Sequence, residues 1–370
     1  MNKEKLISYI QLINTQGIGP ISFKKLYNRF HDVDKALAEL SQKRELFSRS
    51  LAEKELMTAE LKNVKIITIE DEYYPYNLKQ IEDCPPLLYA LGNIELLKNN
   101  NALAIVGSRS SSFSANKLAQ KISSDLSKEG IVIVSGMARG IDSSAHIGAL
   151  QEGGNTIAVL GTGIDIVYPK ENNELYEKLS KNALILSEYP FNTRPQASNF
   201  PRRNRIVSGL SKGVLVVEAS VKSGSLITAH QALEQGRDIY AIPGSPFDNK
   251  TSGCNKLLKD GAILVESSED ILNNFYFEDK VFESFKLEKT ETKDLFEYSL
   301  DNNKINSDIA TNNIDDDSQK LLSLLSTAGE DIDDIIRSLS LEPQVVLMMI
   351  MELELDGKII RLPGNKIAKA

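Results

Sequence analysis

The sequence predicts an α/β fold built on a mostly parallel sheet, an extended Rossmann-like arrangement. After Asn101, short runs rich in β-branched residues alternate with stretches whose apolar residues recur at three- and four-residue spacing. The runs are almost continuously apolar, as expected of strands that helices cover on both faces. We predict seven such strands: Ala102–Val106, Ile131–Val134, Thr156–Leu160, Ala183–Leu186, Val214–Val217, Asp238–Ile242 and Ala262–Val265.

Helices are expected between the strands, so that each pair of neighbouring parallel strands is joined by a crossover. The apolar periodicity places them at Phe113–Lys128, Ser143–Gln151, Asn172–Ser180, Ser225–Gln235 and Asn255–Lys259.

The flanking regions predict two further domains and a linker. Residues 1–87 form a helical domain, similar to SAM or helix-hairpin-helix domains, and a connector that carries a short strand and helix-breaking prolines. Residues 88–275 contain the sheet. Residues 276–317 lose periodicity and are rich in Asp, Asn, Glu and Lys, which is typical of a linker. Residues 318–370 predict three helices and a hairpin, the order of a winged helix.

The net charge of −8 is distributed unevenly. Residues 276–370 contain 20 Asp and Glu against 11 Lys and Arg, a net −9, so residues 1–275 carry +1. A near-neutral domain can still hold a basic groove, because phosphate affinity depends on where Lys and Arg cluster. The acidic total therefore does not exclude nucleic acid as a partner.

Composition also limits the cellular setting and the chemistry. The sequence lacks an apolar run of membrane-spanning length, and its first residues do not resemble a signal peptide, so we expect a cytoplasmic protein that does not enter a membrane. Cys84 and Cys254 lie far apart without metal-ligand spacing, which predicts two free, buried thiols and neither a disulfide nor a metal site.

Glycine- and hydroxyl-rich turns follow several predicted strands. Gly107-Ser108-Arg109-Ser110-Ser111 precedes a helix, so its backbone N–H groups and the Arg109 fork suit a phosphate. Similar turns follow later strands at 135–142, 161–165 and 222–225, and Lys170 lies just beyond the third of the four. Because the carboxyl ends of parallel strands share one edge, these turns predict a long groove for several phosphates.

Three arginines open another predicted helix, in Phe200-Pro201-Arg202-Arg203-Asn204-Arg205. Such density at a helix N-terminus is unfavourable unless an anion neutralises it. Phosphates are one partner, and carboxylates elsewhere in the chain are the alternative. Phe200 has two interpretations as well, stacking on a base or packing in the core.

Several features of the sequence allow a second interpretation. Asp142 and His146 could act as acid and base, but they lack an accompanying nucleophile or metal-ligand set, and capping or packing explains both. The GxGxxG and Walker A patterns are absent, so neither NAD nor ATP is expected.

The turn Gly17-Ile18-Gly19-Pro20 either contacts DNA, as in a helix-hairpin-helix unit, or only joins two helices. Glu342, Glu352, Glu354 and Asp356 make the third helix of the C-terminal unit acidic, which favours a protein contact or regulatory role there.

Taken in order, the motifs resemble those of the DprA/Smf family of DNA-processing proteins. They include Gly107-Ser108-Arg109, the segment 135–142, Pro201-Arg202-Arg203-Asn204-Arg205, Lys222-Ser223-Gly224-Ser225 and Ile242-Pro243-Gly244. The resemblance implies a homodimer that binds single-stranded DNA without sequence preference, protects incoming DNA and helps load a RecA-type recombinase in natural transformation. It implies neither an enzyme nor a cofactor.

Together, the motifs and the resemblance predict DNA contacts along the sheet edge. The expected contact residues are Gly107, Ser108, Arg109, Ser135, Gly136, Ala138, Gly140, Lys170, Phe200, Arg202, Arg203, Asn204, Arg205, Lys222, Ser223, Gly224 and Ser225.

Two alternative functions stay open. A nucleotide-processing hydrolase with similar turns would carry a PGGxGT motif, where this chain has Glu218-Ala219-Ser220-Val221-Lys222-Ser223-Gly224-Ser225. A scaffold whose sheet binds no ligand is the other.

Overall fold

The computed structural model describes residues 2–275, 320–322, 325, 330–339, 343–362 and 366–369. Residues 1–283 and 284–370 form two compact units, which are considered separately. The predicted acidic linker, 276–317, lies outside the described residues.

One nine-stranded sheet organises the first unit. Its strand order is β1-β2-β6-β5-β4-β3-β7-β8-β9, and all pairings from β6 to β9 are parallel. The strands are β1 (Lys65–Thr68), β2 (Leu87–Gly92), β3 (Ala102–Val106), β4 (Val132–Ser135), β5 (Thr156–Leu160), β6 (Leu184–Ser187), β7 (Gly213–Val216), β8 (Asp238–Ala241) and β9 (Ile263–Leu264). The seven predicted strands are confirmed, with identical bounds for β3 and β5 and ends that differ by at most one residue in the others.

The region between the N-terminal helices and the first strand predicted for the sheet contributes more than its sequence suggested. Besides the predicted strand β1, residues 87–92 form β2, which pairs antiparallel with both β1 and β6. The two strands extend the parallel sheet at one edge. The prolines that mark this region, Pro85 and Pro86, immediately precede β2, where a missing N–H does not interrupt the ladder.

Helices cover both faces of the sheet, as its continuously apolar strands require. They are α1 (Lys3–Asn14), α2 (Pro20–Phe30), α3 (Val33–Ser41), α4 (Arg49–Leu61), α5 (Tyr76–Gln80), α6 (Phe113–Lys128), α7 (Ile141–Gln151), α8 (Asn173–Asn182), α9 (Asn199–Gly209), α10 (Ser225–Glu234) and α11 (Ser252–Lys259). A further helix is described over residues 268–275. Cys84 and Cys254 are free and buried, as predicted.

The N-terminal helices pack on the sheet through α1 and α4, which contact β1. Tyr9 and Phe23 of these helices share one apolar cluster with Ile66 of β1 and Tyr89 of β2. Because this core is continuous, the helical domain has a fixed position on the antiparallel end of the sheet.

The second unit has the elements of a winged helix. Helices Ile332–Leu339 and Pro343–Leu355 precede strands β11 (Ile359–Leu362) and β12 (Lys366–Lys369), and a short strand β10 (Glu330–Asp331) completes a three-stranded sheet. Residues 320–322 are helical, within the first predicted helix of this unit. Across the described ranges of the whole chain, none of the helices combines the length and apolar character needed to cross a bilayer.

Close packing of α6 on α7 gives a test of the fold. A Cβ on Gly148 would collide with the backbone of Gln120 in the adjacent helix, so Gly148→Ala should lower the free energy of unfolding by about 1–3 kcal/mol, measured by urea denaturation. At Gly224 a Cβ meets open space and φ is −63°, so Gly224→Ala should leave stability unchanged or raise it by about 0.5 kcal/mol. Equal effects of the two substitutions would contradict the helix contact.

Candidate nucleic-acid interface

A long cleft lies at the carboxyl edge of the sheet. Two cavities, of about 710 and 430 Å³, lie side by side there and share part of their lining. The turns after β3, β4 and β5 form one wall, and the first residues of α9 and α10 form the other. The cavities share seven lining residues: Arg109, Gly136, Ala138, Tyr168, Pro195, Phe200 and Arg203. The predicted convergence of the turns on one edge is therefore observed.

An arginine and two aromatic rings form the centre of this cleft. The guanidinium carbon of Arg109 lies 5.2 Å from the ring centroid of Phe200. The ring of Tyr168 also packs against Phe200, with the ring centroids 5.3 Å apart and the ring planes inclined at 37°. Arg109 is exposed, and Tyr168 is 40% exposed. The cleft thus offers flat π surfaces and a forked cation to the same ligand.

Further exposed cations follow the cleft. Arg139 and Lys170 line its β4 and β5 end, and Lys222 is exposed beside Ser223 at the other end. Glu171 is the exposed carboxylate that lines the cleft beside Lys170. The spacing of cations along an open edge, rather than around one pocket, suits a chain of phosphates.

Arg203 supports the floor of the cleft from below. It is 4% exposed, and its guanidinium donates hydrogen bonds to the carbonyl oxygens of Gly136 and Val159. A Cβ on Gly136 would overlap that guanidinium, so only glycine lets the β4 turn pass over it. Burial lowers the pKa of Arg203 to about 10, which still leaves it charged at neutral pH.

Asp142 closes the β4 turn around this buried cation. Its carboxylate accepts hydrogen bonds from the N–H groups of Gly136 and Ala138, at 3.2 and 3.3 Å. The α7 N-cap is Gly140, with φ of +78°, so Asp142 stabilises the turn rather than the helix end. Burial raises the pKa of Asp142, and the nearby charge of Arg203 opposes that shift.

His146 lies deeper in the same region. It is fully buried, and its Nδ1 is 2.8 Å from the hydroxyl of Thr156. Burial, with a smaller contribution from the charge of Arg203, lowers the pKa of His146 to about 3. The imidazole is therefore neutral at physiological pH and has no access to a ligand in the cleft.

A carboxylate from the chain itself occupies the expected phosphate position at the start of α6. Glu218 accepts hydrogen bonds from the Ser112 hydroxyl, at 2.6 Å, and from the Ser112 N–H. Its backbone oxygen also accepts the Ser108 N–H, at 2.7 Å. The β3 turn is therefore tied to β7 by internal bonds, and its main feature left for a ligand is the Arg109 side chain.

Arg205 and Arg202 face a different cavity. Arg205 is buried and forms ion pairs with Glu188 and Asp83, which is the carboxylate alternative that the sequence left open. Arg202 is exposed and lines this second cavity, which is separate from the two that form the cleft and has a volume of about 490 Å³. Gly19 and Pro20 of the N-terminal turn line it as well. The structure thus divides the arginine cluster, and Arg203 alone of the three lines the sheet-edge cleft.

The remaining predicted residues lie in or behind the cleft. Gly107, Asn204, Ser223, Gly224 and Ser225 line its wall. Ser135 is fully buried and its hydroxyl donates to the oxygen of Ile105, at 2.6 Å, so it stabilises the strand end behind the cleft. Gly140 fits tightly against the β3 turn, since a Cβ there would collide with the Ser108 carbonyl.

Comparison with known proteins decides the family. A model described as "DNA recombination-mediator protein A" matches residues 65–276, the whole sheet with its connector. A "DprA-like N-terminal HHH domain" matches residues 3–62, and a "DprA winged helix domain" matches residues 308–365.

The chain belongs to the DNA recombination-mediator protein A family. It is 47% identical over 221 residues to DNA processing protein DprA of Streptococcus pneumoniae, across 60% of this chain and 78% of that protein. The crystal structure of the S. pneumoniae DprA protein aligns with a TM-score of 0.60 at 38% identity, over 72% of this chain and 95% of that one. DprA of Helicobacter pylori, whose structure is described with a single-stranded DNA binding mode, aligns with a TM-score of 0.53 at 30% identity, over 59% and 98% of the two chains.

Two residues of the cleft were not among the predicted contacts. Tyr168 and Arg139 both line the cleft and are exposed. Arg139 stands in the segment 135–142, which carried part of the family resemblance, and Tyr168 lies two residues before the predicted contact Lys170. An arginine or an aromatic residue in a turn after a predicted strand was the sequence signal that could have identified them.

The buried histidine predicts a pH dependence of stability. Because the pKa of His146 falls from 6.5 in the unfolded chain to about 3 in the folded one, the unfolded chain binds the extra proton between these values. The free energy of unfolding should therefore fall as pH decreases through this window, with about 2 kcal/mol of the loss at pH 5 due to His146.

Urea denaturation at pH 7 and pH 5 measures this effect. His146→Gln should lower stability at pH 7 but reduce its pH dependence, whereas exposed His230→Gln should retain the wild-type pH dependence. An unchanged slope in the His146 variant would show that this group does not titrate as the packing requires.

Proposed function

We propose that this protein binds single-stranded DNA along the cleft at the carboxyl edge of its sheet. The observation that carries the proposal is the stack of Arg109, Phe200 and Tyr168 at the open centre of the cleft. An aromatic face can stack on any base, which makes binding tolerant of sequence. Only an unpaired base presents its face to a side chain, so a single strand is favoured over a duplex. The single-strand binding mode described for the H. pylori relative supports this proposal.

The predicted contacts take different roles in this proposal. Exposed Arg109, Arg139, Lys170 and Lys222 meet phosphates, and Phe200 with Tyr168 meets bases. Gly107, Ser108, Ala138, Asn204, Ser223, Gly224 and Ser225 shape the wall that the strand follows. Gly136, Gly140, Ser135 and Arg203 position the turns, and Arg205 acts through its ion pairs. Arg202 lies outside the cleft and would contact only a strand that extends beyond it.

The protein is further proposed to act by binding and not by catalysis. Of the groups that could have served as acid and base, Asp142 is held by two backbone N–H groups and His146 is fully buried. Glu218 is likewise engaged with Ser112. Turnover of nucleoside monophosphates by the purified protein would contradict this part of the proposal.

Arg109→Ala tests the cleft directly. Loss of this cation should weaken binding of labelled oligo-dT at least tenfold, about 1.4 kcal/mol, in fluorescence anisotropy, while the urea midpoint stays unchanged because the side chain is exposed. Arg29→Ala, which removes an exposed arginine from α2, should leave affinity unchanged. An equal loss in both variants would indicate nonspecific charge attraction.

Salt dependence gives a second readout on the same variants. Each phosphate contact of a single strand contributes about −0.7 to the slope of the logarithm of the association constant against the logarithm of the salt concentration. With about four to six phosphates neutralised, that slope should be roughly −3 to −4. Arg109→Ala should make the slope less negative by about 0.7. A slope near zero would contradict phosphate tracking.

Membership of the family is the basis for proposing a biological role. We propose that the protein forms a homodimer, protects incoming single strands and helps load a RecA-type recombinase in natural transformation. The description of the matching family as a recombination mediator supports this role.

Recombinase loading can be measured as DNA-dependent ATP hydrolysis by a RecA-type recombinase on strands precoated with a single-strand-binding protein. Wild-type protein should shorten the lag before hydrolysis, and Arg109→Ala should shorten it less because it binds the strand more weakly. Arg29→Ala serves as the control. A lag that wild-type protein leaves unchanged would contradict the loading role without affecting the proposal of strand binding.

A further inference from the structure

Two phenylalanines at the same edge of the sheet are unusually exposed. Phe247, in the loop after β8, is 97% exposed, and Phe113, the first residue of α6, is 75% exposed. Scattered exposed apolar residues are common on proteins, so exposure alone indicates nothing. Here Lys117 lies over the ring of Phe113 and Lys250 follows Phe247 by three residues, and both aromatics follow strands whose carboxyl ends lie at the edge that carries the cleft.

The loops that bear these residues are joined to each other. Lys250, three residues after Phe247, donates a hydrogen bond from Nζ to the backbone oxygen of Ser110, at 3.3 Å. Ser110 lies between Arg109 of the cleft and Phe113. On α6, the Nζ of Lys117 is 4.9 Å from the ring centroid of Phe113. We call Phe113, Lys117, Phe247 and Lys250 the aromatic–lysine surface.

This surface continues the cleft in the order of the sheet. The cleft begins at the β5 turn and passes the β4 and β3 turns to the β7 turn, and the next strand in the sheet is β8. Four inter-strand spacings separate β5 from β8, or about 19 Å at 4.8 Å per spacing. A strand that leaves the cleft past Arg109 and Lys222 would therefore meet the β8 loop next.

Hydrogen bonds within the β8 loop fix the position from which Phe247 projects. The Asp248 carboxylate accepts the Lys250 N–H, at 2.9 Å, and the Thr251 hydroxyl donates to the oxygen of Ser245, at 3.0 Å. Asn255 of α11 bonds both the N–H and the oxygen of Gly244. The loop is thus held at both ends, and its one acidic side chain helps to shape it.

From these observations we propose that the aromatic–lysine surface is a second stacking subsite for the same single strand. It takes bases of nucleotides beyond the cleft on Phe247 and Phe113, and the adjacent phosphates on Lys117 and Lys250. This inference rests on the proposed function, because the strand reaches the surface through the cleft. Exposed rings beside cations favour nucleic acid over a protein partner, since base stacking and phosphate pairing use both groups together.

A tryptophan reporter tests contact with this surface. The chain contains no Trp, so Phe247→Trp introduces a single indole whose fluorescence reports stacking. Binding of a dT oligonucleotide of about 20 nucleotides should quench it, whereas one of about 4 nucleotides should fill the cleft and leave it unquenched. Tyr76→Trp is the control, because Tyr76 is 64% exposed on α5 and its neighbour Asn77 bonds Asn100 before β3, at the opposite edge of the sheet.

Affinity as a function of oligonucleotide length tests the energetic contribution. The double variant Phe113→Ala with Phe247→Ala should bind the short oligonucleotide as wild type does and the long one about tenfold more weakly. Tyr76→Ala should match wild type at both lengths. Both phenylalanines are exposed, so the variant should fold normally, and its unchanged urea midpoint would show this.

The outcomes separate this inference from the proposed function. Arg109→Ala should weaken binding at both lengths. If binding depends on Arg109 but the double variant binds both lengths like wild type and the reporter is not quenched, the second subsite is wrong and the cleft stands. If the double variant changes only the oligomeric mass, the surface joins copies of the chain instead. If wild-type protein binds neither oligonucleotide, both proposals are wrong.

Discussion

The buried guanidinium of Arg203 is the interaction on which the cleft depends. It connects α9 to the turn after β4 through Gly136 and to the end of β5 through Val159. A buried charge is tolerated only with compensating charge and full hydrogen bonding, and Asp142 supplies the opposite charge from the same turn. Glycine at position 136 lets the turn after β4 approach the guanidinium of Arg203. Two strand ends and a helix are thereby held in one arrangement.

Internal carboxylates complete this arrangement and leave the cations for a ligand. Asp142 and Glu218 accept the backbone and hydroxyl donors of the β4 and β3 turns, which otherwise would be the obvious phosphate contacts. The side chains that remain available at the open edge are long cations and aromatic rings. This division explains how a unit with almost no net charge can present a basic, stacking surface on one edge.

Sequence patterns predicted the strands closely because buried parallel strands are continuously apolar, as β3 and β5 show with identical bounds. Strand β2 was missed because adjacent prolines suggested a connector, although they lie just before the ladder. The sequence predicted that turns form the site. It did not predict that the three neighbouring arginines line different cavities. Arg202, Arg203 and Arg205 are near neighbours in sequence, and helical geometry together with distant partners, Glu188 for one and Val159 for another, directs them to different cavities.

The central claim is that unpaired bases lie against Phe200 and Tyr168 while phosphates meet Arg109. Photocrosslinking of an oligo-dT that carries 5-iodouracil, followed by mass spectrometry of the linked peptides, tests it most directly. The account predicts crosslinks to the peptides that contain Tyr168 and Phe200, and their loss when an unlabelled single strand competes. Crosslinks confined to the C-terminal unit, or to the second cavity beside Gly19 and Arg202, would contradict it.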